Sequence, residues 1–225
     1  MFLETKGVFE SLREDSKSTW KNYVGHSFVE ALGKGNLPLD SFKRYLQQDY
    51  LFLIDFARAW GLAAFKSDNI VDIRSACSSL NSIVNIEINF HVEYCSKWGI
   101  KIEELDQGQH ALETRAYIEH VFQCGLNGGL LDLHVALAPC IIGYGEIGQK
   151  LKSSGFDNEQ NPYLSWIQMY SGNEYQSAVE LELKTLNRLF ESFDGSSRYS
   201  ELLEIFREST RLESEFWDVS LDPKN

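Results

Sequence analysis

The sequence predicts an all-α protein built as a single multi-helix bundle. Apolar residues recur at a 3.6-residue spacing along nearly the whole chain, and no alternating strand pattern with a hairpin turn is present. Only 4 of the 225 residues are proline, below the average usage of about 5%, which favours long helices over a β architecture. The length fits one large domain or two small ones. Because no repeat or long linker divides the chain, we predict one domain over residues 1–225.

Each helix is predicted from the same periodicity. The segment from about 40 to 66 is apolar on nearly all sides, so it is predicted to be the central helix. A second long helix covers about 70 to 98 and ends at Gly99, where KIEEL begins a polar connection. The remaining helices are predicted over about 5–24, 26–32, 111–126, 129–152, 162–170, 173–194 and 198–219.

Charge and cysteine content restrict the partners and the compartment. The net charge is −12 and no basic block is present, so we expect no nucleic-acid partner, which would need clustered Lys and Arg. No stretch approaches 18 apolar residues, and the N-terminus lacks the features of a secretory signal, so no membrane span is expected. Four cysteines without a CxxC pair predict neither a zinc cage nor a disulfide framework. We therefore expect a cytoplasmic protein.

Cys140 is a candidate nucleophile within the apolar segment HVALAPCIIGYGEIGQKL. Pro139 removes one backbone hydrogen bond immediately before it and is expected to kink the helix. Tyr144 lies four residues further on and shares the helix face of the thiol. The alternative is a buried cysteine that packs as a small hydrophobe in a helix–helix contact. The residues alone leave both interpretations open.

Two carboxyl groups are candidates for recognition or acid–base chemistry. Asp49 precedes a long apolar run and shares a helix face with Phe52 and Phe56, where a carboxylate is costly unless it is paired. It either recognises the polar edge of a heteroaromatic ligand or partners an arginine or backbone donors of a neighbouring helix. Glu213, four residues before Trp217, is either a buried acid–base group or a solvated glutamate.

Three weaker candidates have structural alternatives. Tyr170 ends a helix just before SGN, so its hydroxyl either lies at a functional helix junction or reaches into water. Glu87 and His91 are four residues apart and suit a metal, but the other helices lack comparable pairs. A hydrogen-bonded structural pair is therefore favoured there, and no metal is expected. Asp55 precedes Arg58 by three residues, as in an ordinary helix ion pair.

Four segments together resemble the TenA family, also called thiaminase II. The segments are GHSFVEALGKGNLPLDSFKRYLQQDY, LAPCIIGYGEIGQKL, YLSWIQMYSGNEY and ESEFW, and their order and spacing extend the resemblance over nearly the whole chain. It implies a heme-oxygenase-like helical bundle without a cofactor. It also implies an enzyme of thiamin salvage that converts aminomethylpyrimidine, or thiamin itself, to hydroxymethylpyrimidine. The family commonly forms homotetramers, so the resemblance implies that assembly too.

The resemblance assigns roles to individual residues. It implies that Cys140 attacks the pyrimidine ring, as in the Cys-containing branch of the family. Asp49 is implied to bind a ring nitrogen and the exocyclic amine, and Glu213 to protonate or hydrogen-bond the opposite edge. Tyr144 and Tyr170 are implied to orient the thiol and the substrate. Carboxyl groups on opposite edges would make the ring electron-poor enough for a thiolate to add.

The chain departs from the family pattern at two of its expected substrate-binding positions. Phe52 stands where the family often has tyrosine, so it keeps an aromatic face but lacks the hydroxyl. In the segment before Tyr117, Arg115 stands where a site-lining tyrosine is common. These departures affect the expected substrate more than the expected class of activity.

Two other functions are alternatives to the hydrolase. The first is a helical-bundle oxidoreductase that uses a metal or a redox cofactor, which would need more His and Glu ligands than the sequence offers. The second is a non-catalytic protein that binds a pyrimidine ligand or regulates another process. The net charge of −12 argues against direct DNA contact by such a regulator.

Overall fold

The computed structural model describes residues 7–221, apart from the side chain of Asp106, and within that range every regular element is helical. This confirms the predicted all-α class. Twelve α-helices occur in the described residues, with one π-helical turn, Ile83–Glu87, between α5 and α6. The α-helices are α1 (Val8–Asp15), α2 (Lys17–Val24), α3 (Ser27–Gly33), α4 (Leu39–Lys66), α5 (Ile70–Ser82), α6 (Ile88–Lys97), α7 (Ile102–Asp106), α8 (Leu112–Asn127), α9 (Leu130–Ser153), α10 (Leu164–Ser171), α11 (Asn173–Ser192) and α12 (Tyr199–Leu221).

The chain divides into two compact units. The first unit comprises Met1–Leu37 and His134–Trp217, and the second comprises Pro38–Leu133 and Asp218–Asn225. In the first unit the core contains stacked aromatic rings: Trp20 packs on Phe206, and Phe28 packs on Trp217 with 4.9 Å between ring centroids. The prediction of one TenA-like domain over residues 1–225 stays a prediction.

Helix α4 is the central element of the second unit. It contacts α5, α6, α7, α8 and the π-helical turn, and fifteen of its 28 residues are buried. The prediction of a central helix over about 40–66 is therefore confirmed. An apolar surface on nearly all sides allows one helix to pack against several neighbours at once.

The first predicted helix is two helices, separated at Ser16. The backbone of Ser16 has φ −115° and ψ 21°, outside helical geometry, and its side chain is buried. Residues 5 and 6, included in that prediction, lie outside the described residues. Apolar periodicity continues across the break, so the pattern alone gave no sign of it.

The predicted helix over about 70–98 contains an irregularity. Asn69 caps its start by accepting from the backbone N–H groups of Val71 and Asp72, both at 3.0 Å. The π-helical turn then inserts one extra residue per turn before α6 begins, and Gly99 follows the helix with φ +77°. The segment KIEEL, predicted to begin a polar connection, overlaps the short helix α7.

Helix α9 is a long, strongly apolar element. It continues from Leu130 to Ser153 through Pro139, and the kink expected there stays a prediction. By length and composition it is the one described helix that could cross a membrane, but 89% of its most apolar stretch is buried. That burial is typical of the core helix of a soluble protein.

Candidate functional site

Cys140 lies in the middle of α9, one turn before Tyr144, and its side chain is partly exposed. Tyr23 of α2 packs against this turn. Its hydroxyl donates to the carbonyl oxygen of Pro139 at 3.2 Å, and a Cβ on Gly143 would lie only 2.3 Å from its ring. Gly143 is therefore needed for the close approach of Tyr23 to the turn that carries the thiol.

Tyr144 and Tyr170, both predicted site residues, are in contact. Their ring centroids are 4.9 Å apart, and Trp166 lies 4.5 Å from Tyr170 on the same helix, α10. Gln176 of α11 holds the end of α10 by donating to the Tyr170 carbonyl at 2.8 Å and to the Gly145 carbonyl at 3.2 Å. These bonds fix Tyr170 against the α9 turn that follows Cys140.

Glu213 lies on α12 and is only 1% exposed. Trp217, one turn further on, packs against Tyr144 with 5.2 Å between ring centroids. The same helix therefore supplies a buried carboxyl group and supports the tyrosine that follows Cys140. A side chain so deeply buried is not the solvated glutamate considered from the sequence. Because removing a carboxyl group from water costs free energy, its burial agrees with the alternative of a buried acid–base group.

The first unit thus holds four of the predicted site residues on helices that pack together. They are Cys140 and Tyr144 on α9, Tyr170 on α10 and Glu213 on α12. The other three, Asp49, Phe52 and Arg115, belong to the second unit.

Asp49 is buried in α4, with 6% of its surface exposed. Its partners within the second unit are the hydroxyl of Tyr45, which donates to Oδ2 at 3.2 Å, and Nδ1 of His91 at 3.4 Å. The arginine partner considered from the sequence is not among the contacts that the described residues make with it. Burial raises the pKa of Asp49 to about 7, against a smaller opposite effect of the Tyr45 hydrogen bond.

Phe52 lies in an aromatic stack on the same helix. Its ring is nearly parallel to that of Tyr117 of α8, with 5.2 Å between centroids and 17° between planes. Phe56, one turn along α4, also stacks on Phe52, with 5.5 Å between ring centroids. Arg115 is exposed on α8, whereas Tyr117 is buried. Tyr117 was not among the predicted site residues, although its spacing from the buried residues Thr114 and Val121 indicates an inward-facing position.

The pair Glu87 and His91 belongs to the surroundings of Asp49. His91 Nε2 lies 2.7 Å from the carbonyl oxygen of Leu46, and burial lowers the pKa of the imidazole to about 4. Burial, followed by the charge of Asp49, raises the pKa of Glu87 to about 7. Within the described part of the chain, no three His, Cys, Asp or Glu side chains are grouped as a metal site requires. Asp55 pairs with Arg58 and also with His110.

The first unit thus carries a partly exposed thiol, a buried carboxyl group and two tyrosines in contact, and the second unit carries a buried carboxyl group in an aromatic environment. The chain belongs to the TENA/THI-4/PQQC family, whose model matches residues 13–223. The resemblance to the TenA family is thereby confirmed.

Two relatives of this chain bear on its family, and a more distant structure bears on its fold. A protein of Halalkalibacterium halodurans named aminopyrimidine aminohydrolase is 31% identical over 95% of this chain and 95% of its own. A crystal structure from Silicibacter sp. TM1040, described as a TenA family transcription regulator, has a TM-score of 0.91 and 38% identity. It covers 99% of this chain and all of its own. A domain from Shewanella denitrificans with a heme oxygenase-like fold has a TM-score of 0.70 at 13% identity, covering 95% and 91%. The last comparison confirms the predicted heme-oxygenase-like bundle.

Proposed function

We propose that this protein is an aminopyrimidine aminohydrolase of the thiaminase II type. It would release hydroxymethylpyrimidine from aminomethylpyrimidine, or from thiamin, in thiamin salvage. The observation that carries the proposal is the similarity, over nearly the full length of both chains, to a protein named aminopyrimidine aminohydrolase. The partly exposed Cys140 lies one helical turn before Tyr144, which contacts Tyr170, and this agrees with a reaction that begins with a thiol.

In the proposed reaction the Cys140 thiolate forms a C–S bond at a carbon of the pyrimidine ring. Addition moves an electron pair toward the exocyclic CH₂ group, which expels the amine or the thiazolium. Water then adds to that carbon, and the thiol leaves to regenerate the cysteine. Asp49 would hold a ring nitrogen and the exocyclic amine, and Glu213 would hydrogen-bond or protonate the opposite edge.

Aromatic side chains would orient the reactants. Tyr144 and Tyr170 supply hydroxyl groups on packed, buried rings, so few rotamers are open to them. Phe52 would offer an aromatic face on which the pyrimidine stacks. Tyr117 of α8 packs against the Phe52 ring and helps to hold it in place. Arg115, being exposed, would act at the outer part of a pocket rather than on the ring.

The test measures release of hydroxymethylpyrimidine from aminomethylpyrimidine and, in parallel, from thiamin. Cys140→Ala should abolish both activities, whereas Cys77→Ala, at an exposed cysteine, should leave them unchanged. Turnover on thiamin alone would keep the mechanism but change the biological role. A folded wild-type protein that releases the product from neither compound would sink the proposal.

A regulatory function is the second candidate, because a relative at 38% identity is described as a transcription regulator. The net charge of −12 opposes binding to DNA phosphates. A regulator that binds a pyrimidine without turning it over would show saturable binding of hydroxymethylpyrimidine in calorimetry but no product release. Release of hydroxymethylpyrimidine by the wild type that is lost in Cys140→Ala would favour the hydrolase.

We further propose a cytoplasmic homotetramer. The compartment is inferred from the sequence, in which four cysteines without a CxxC pair suggest free thiols and so a reducing environment. The second unit exposes large apolar side chains on α4, α5 and the π-helical turn, including Phe65 (82% exposed), Val71 (67%) and Ile86 (52%). Such side chains are typical of surfaces that another protein covers. Sedimentation should give four times the chain mass, and Phe65→Glu should lower it; a monomeric wild type contradicts this assembly.

A further inference from the structure

Asp49 lies among titratable side chains that have no role of their own in the proposed reaction. Within the second unit these groups are Tyr45 on α4, Glu87 at the end of the π-helical turn, and His91 and Cys95 on α6. Asp49 and His91 are 6% and 7% exposed. The centre of this cluster is therefore almost entirely removed from water.

The hydrogen bond to Leu46 fixes the tautomer of His91. A backbone carbonyl only accepts hydrogen bonds, so the contact of 2.7 Å requires that Nε2 of His91 carries a hydrogen. A neutral imidazole then has a lone pair on Nδ1, the atom that lies 3.4 Å from Oδ2 of Asp49. Burial lowers the pKa of His91 to about 4, so the ring is neutral at physiological pH.

A neutral His91 restricts the charge of Asp49. If the carboxyl group were ionised, its oxygen lone pairs would face the lone pair of Nδ1 without a hydrogen between them. With a proton on Oδ2, the same geometry becomes a hydrogen bond from Asp49 to His91, while Tyr45 still donates to that oxygen. The nearby carboxyl group of Glu87 also disfavours a second negative charge. Geometry and burial thus favour the same protonation state.

We infer that His91 is a positioning residue that keeps Asp49 protonated, so that Asp49 enters the reaction as a proton donor. This inference rests on the proposed function and deepens it. When an aminopyrimidine binds, the O–H bond of Asp49 breaks and an N–H bond forms on a ring nitrogen. The hydrogen bond from Oδ2 to Nδ1 of His91 is lost in this step, and in its place the resulting carboxylate pairs with the positively charged ring and accepts from the exocyclic amine. The protonated ring is more electron-poor, and this is the activation that thiolate addition needs.

Two substitutions of His91 separate its two hydrogen bonds. In His91→Asn, the side-chain oxygen can take the place of Nδ1 and still accept from Asp49, but the bond to Leu46 is lost. In His91→Gln, the side-chain nitrogen can take the place of Nε2 and still donate to Leu46, but Asp49 loses its acceptor. A purely structural role for His91 predicts no such division between the two variants.

The first measurement is the titration of the Asp49 carboxyl carbon by NMR in the free protein, assigned with Asp49→Asn. We expect a midpoint near pH 7 in the wild type and in His91→Asn, and one lower by about one pH unit or more in His91→Gln. The nitrogen shifts of His91 should show a neutral ring with the hydrogen on Nε2. A wild-type midpoint below pH 5, a charged His91 at pH 7, or equal midpoints in the two variants would overturn the inference.

The second measurement is the pH profile of kcat/KM for hydroxymethylpyrimidine release. Its alkaline limb should move to lower pH in His91→Gln and stay in place in His91→Asn, whereas a folding defect lowers the whole profile without moving the limb. A wild type that titrates near pH 7 but shows no turnover overturns the proposed function and the donor role together. Normal turnover with a low Asp49 midpoint overturns both the donor role of Asp49 and the role given to His91, but leaves the proposed function in place.

Discussion

The hydroxyl of Tyr23 donates a hydrogen bond to the carbonyl oxygen of Pro139 over 3.2 Å. That carbonyl belongs to the peptide group whose nitrogen is part of Cys140. Tyr23 is fully buried, and its ring occupies the space that a side chain on Gly143 would need. The contact therefore holds the backbone of the proposed nucleophile from a neighbouring helix of the same unit.

Tyr23→Phe should weaken this support without disturbing the packing of the ring. We expect a loss of about 1 kcal/mol in the free energy of unfolding, the typical worth of one hydrogen bond. Turnover should fall roughly tenfold, because a small displacement of a nucleophile is costly. Tyr199→Phe is the matched control, since it removes only an exposed bond to Asp15. Equal turnover in the two variants, with Tyr23→Phe folded, would show that the bond does not orient the thiol.

The four cysteines should differ sharply in reactivity. Burial raises the pKa of Cys95 to about 12 and that of Cys124 to about 11, so at pH 8 almost none of either is thiolate, the reactive form. Cys77 is exposed, and Cys140 is partly exposed. In a Cys77→Ser variant treated with iodoacetamide, mass spectrometry should therefore find the label on Cys140, and an aminopyrimidine should slow its appearance. Labelling of Cys95 or Cys124 at a comparable rate would contradict the effect of burial on these thiols.

The helices were predictable because burial imposes the 3.6-residue pattern on the sequence itself. The extent of α4 follows directly from its apolar run. The π-helical turn was not predictable, because one extra residue per turn leaves the apolar residues on either side in an equally helical pattern. The break at Ser16 is similar, since both halves keep their buried faces.

Candidate site residues were predictable where a polar side chain stands next to apolar residues in the sequence. A carboxyl group that directly precedes an apolar run and shares a helix face with aromatic residues, as Asp49 does, indicates a special environment. The contact between Asp49 and His91 was not predictable. His91 lies 42 positions further along the chain, and the contact depends on how its helix, α6, packs against α4. Tyr117 was not predicted as a site residue for the same reason, because its contact with Phe52 depends on how α8 packs against α4.

The buried pair of His134 and Glu182 should matter more for stability than any exposed pair on the same helix. Nδ1 of His134 lies 2.8 Å from Oε1 of Glu182, and both side chains are buried. Glu182→Ala should lower the free energy of unfolding by about 3 kcal/mol, because it leaves the imidazole without this partner in the core. The control is Glu180→Ala, which breaks an exposed pair with Lys184 and should cost below about 1 kcal/mol. Urea unfolding curves measure both, and similar midpoints would refute the assigned importance of burial.

Asp49→Asn should stabilise the protein increasingly as the pH rises. Between about pH 4 and 7 the folded protein keeps a proton on Asp49 that the unfolded chain has released, because burial raises the pKa from 3.8 to about 7. The contribution of Asp49 to the free energy of unfolding therefore falls as the pH rises through this window. Asparagine resembles the protonated carboxyl group and has no charge to bury, so its advantage should be small near pH 4 and reach a few kcal/mol at pH 8. Asp68→Asn, at an exposed aspartate, should change stability by less than about 0.5 kcal/mol at either pH. Urea unfolding at both pH values measures the difference, and an Asp49→Asn variant that is no more stable than the wild type at pH 8 would mean that the buried carboxyl group carries no such cost.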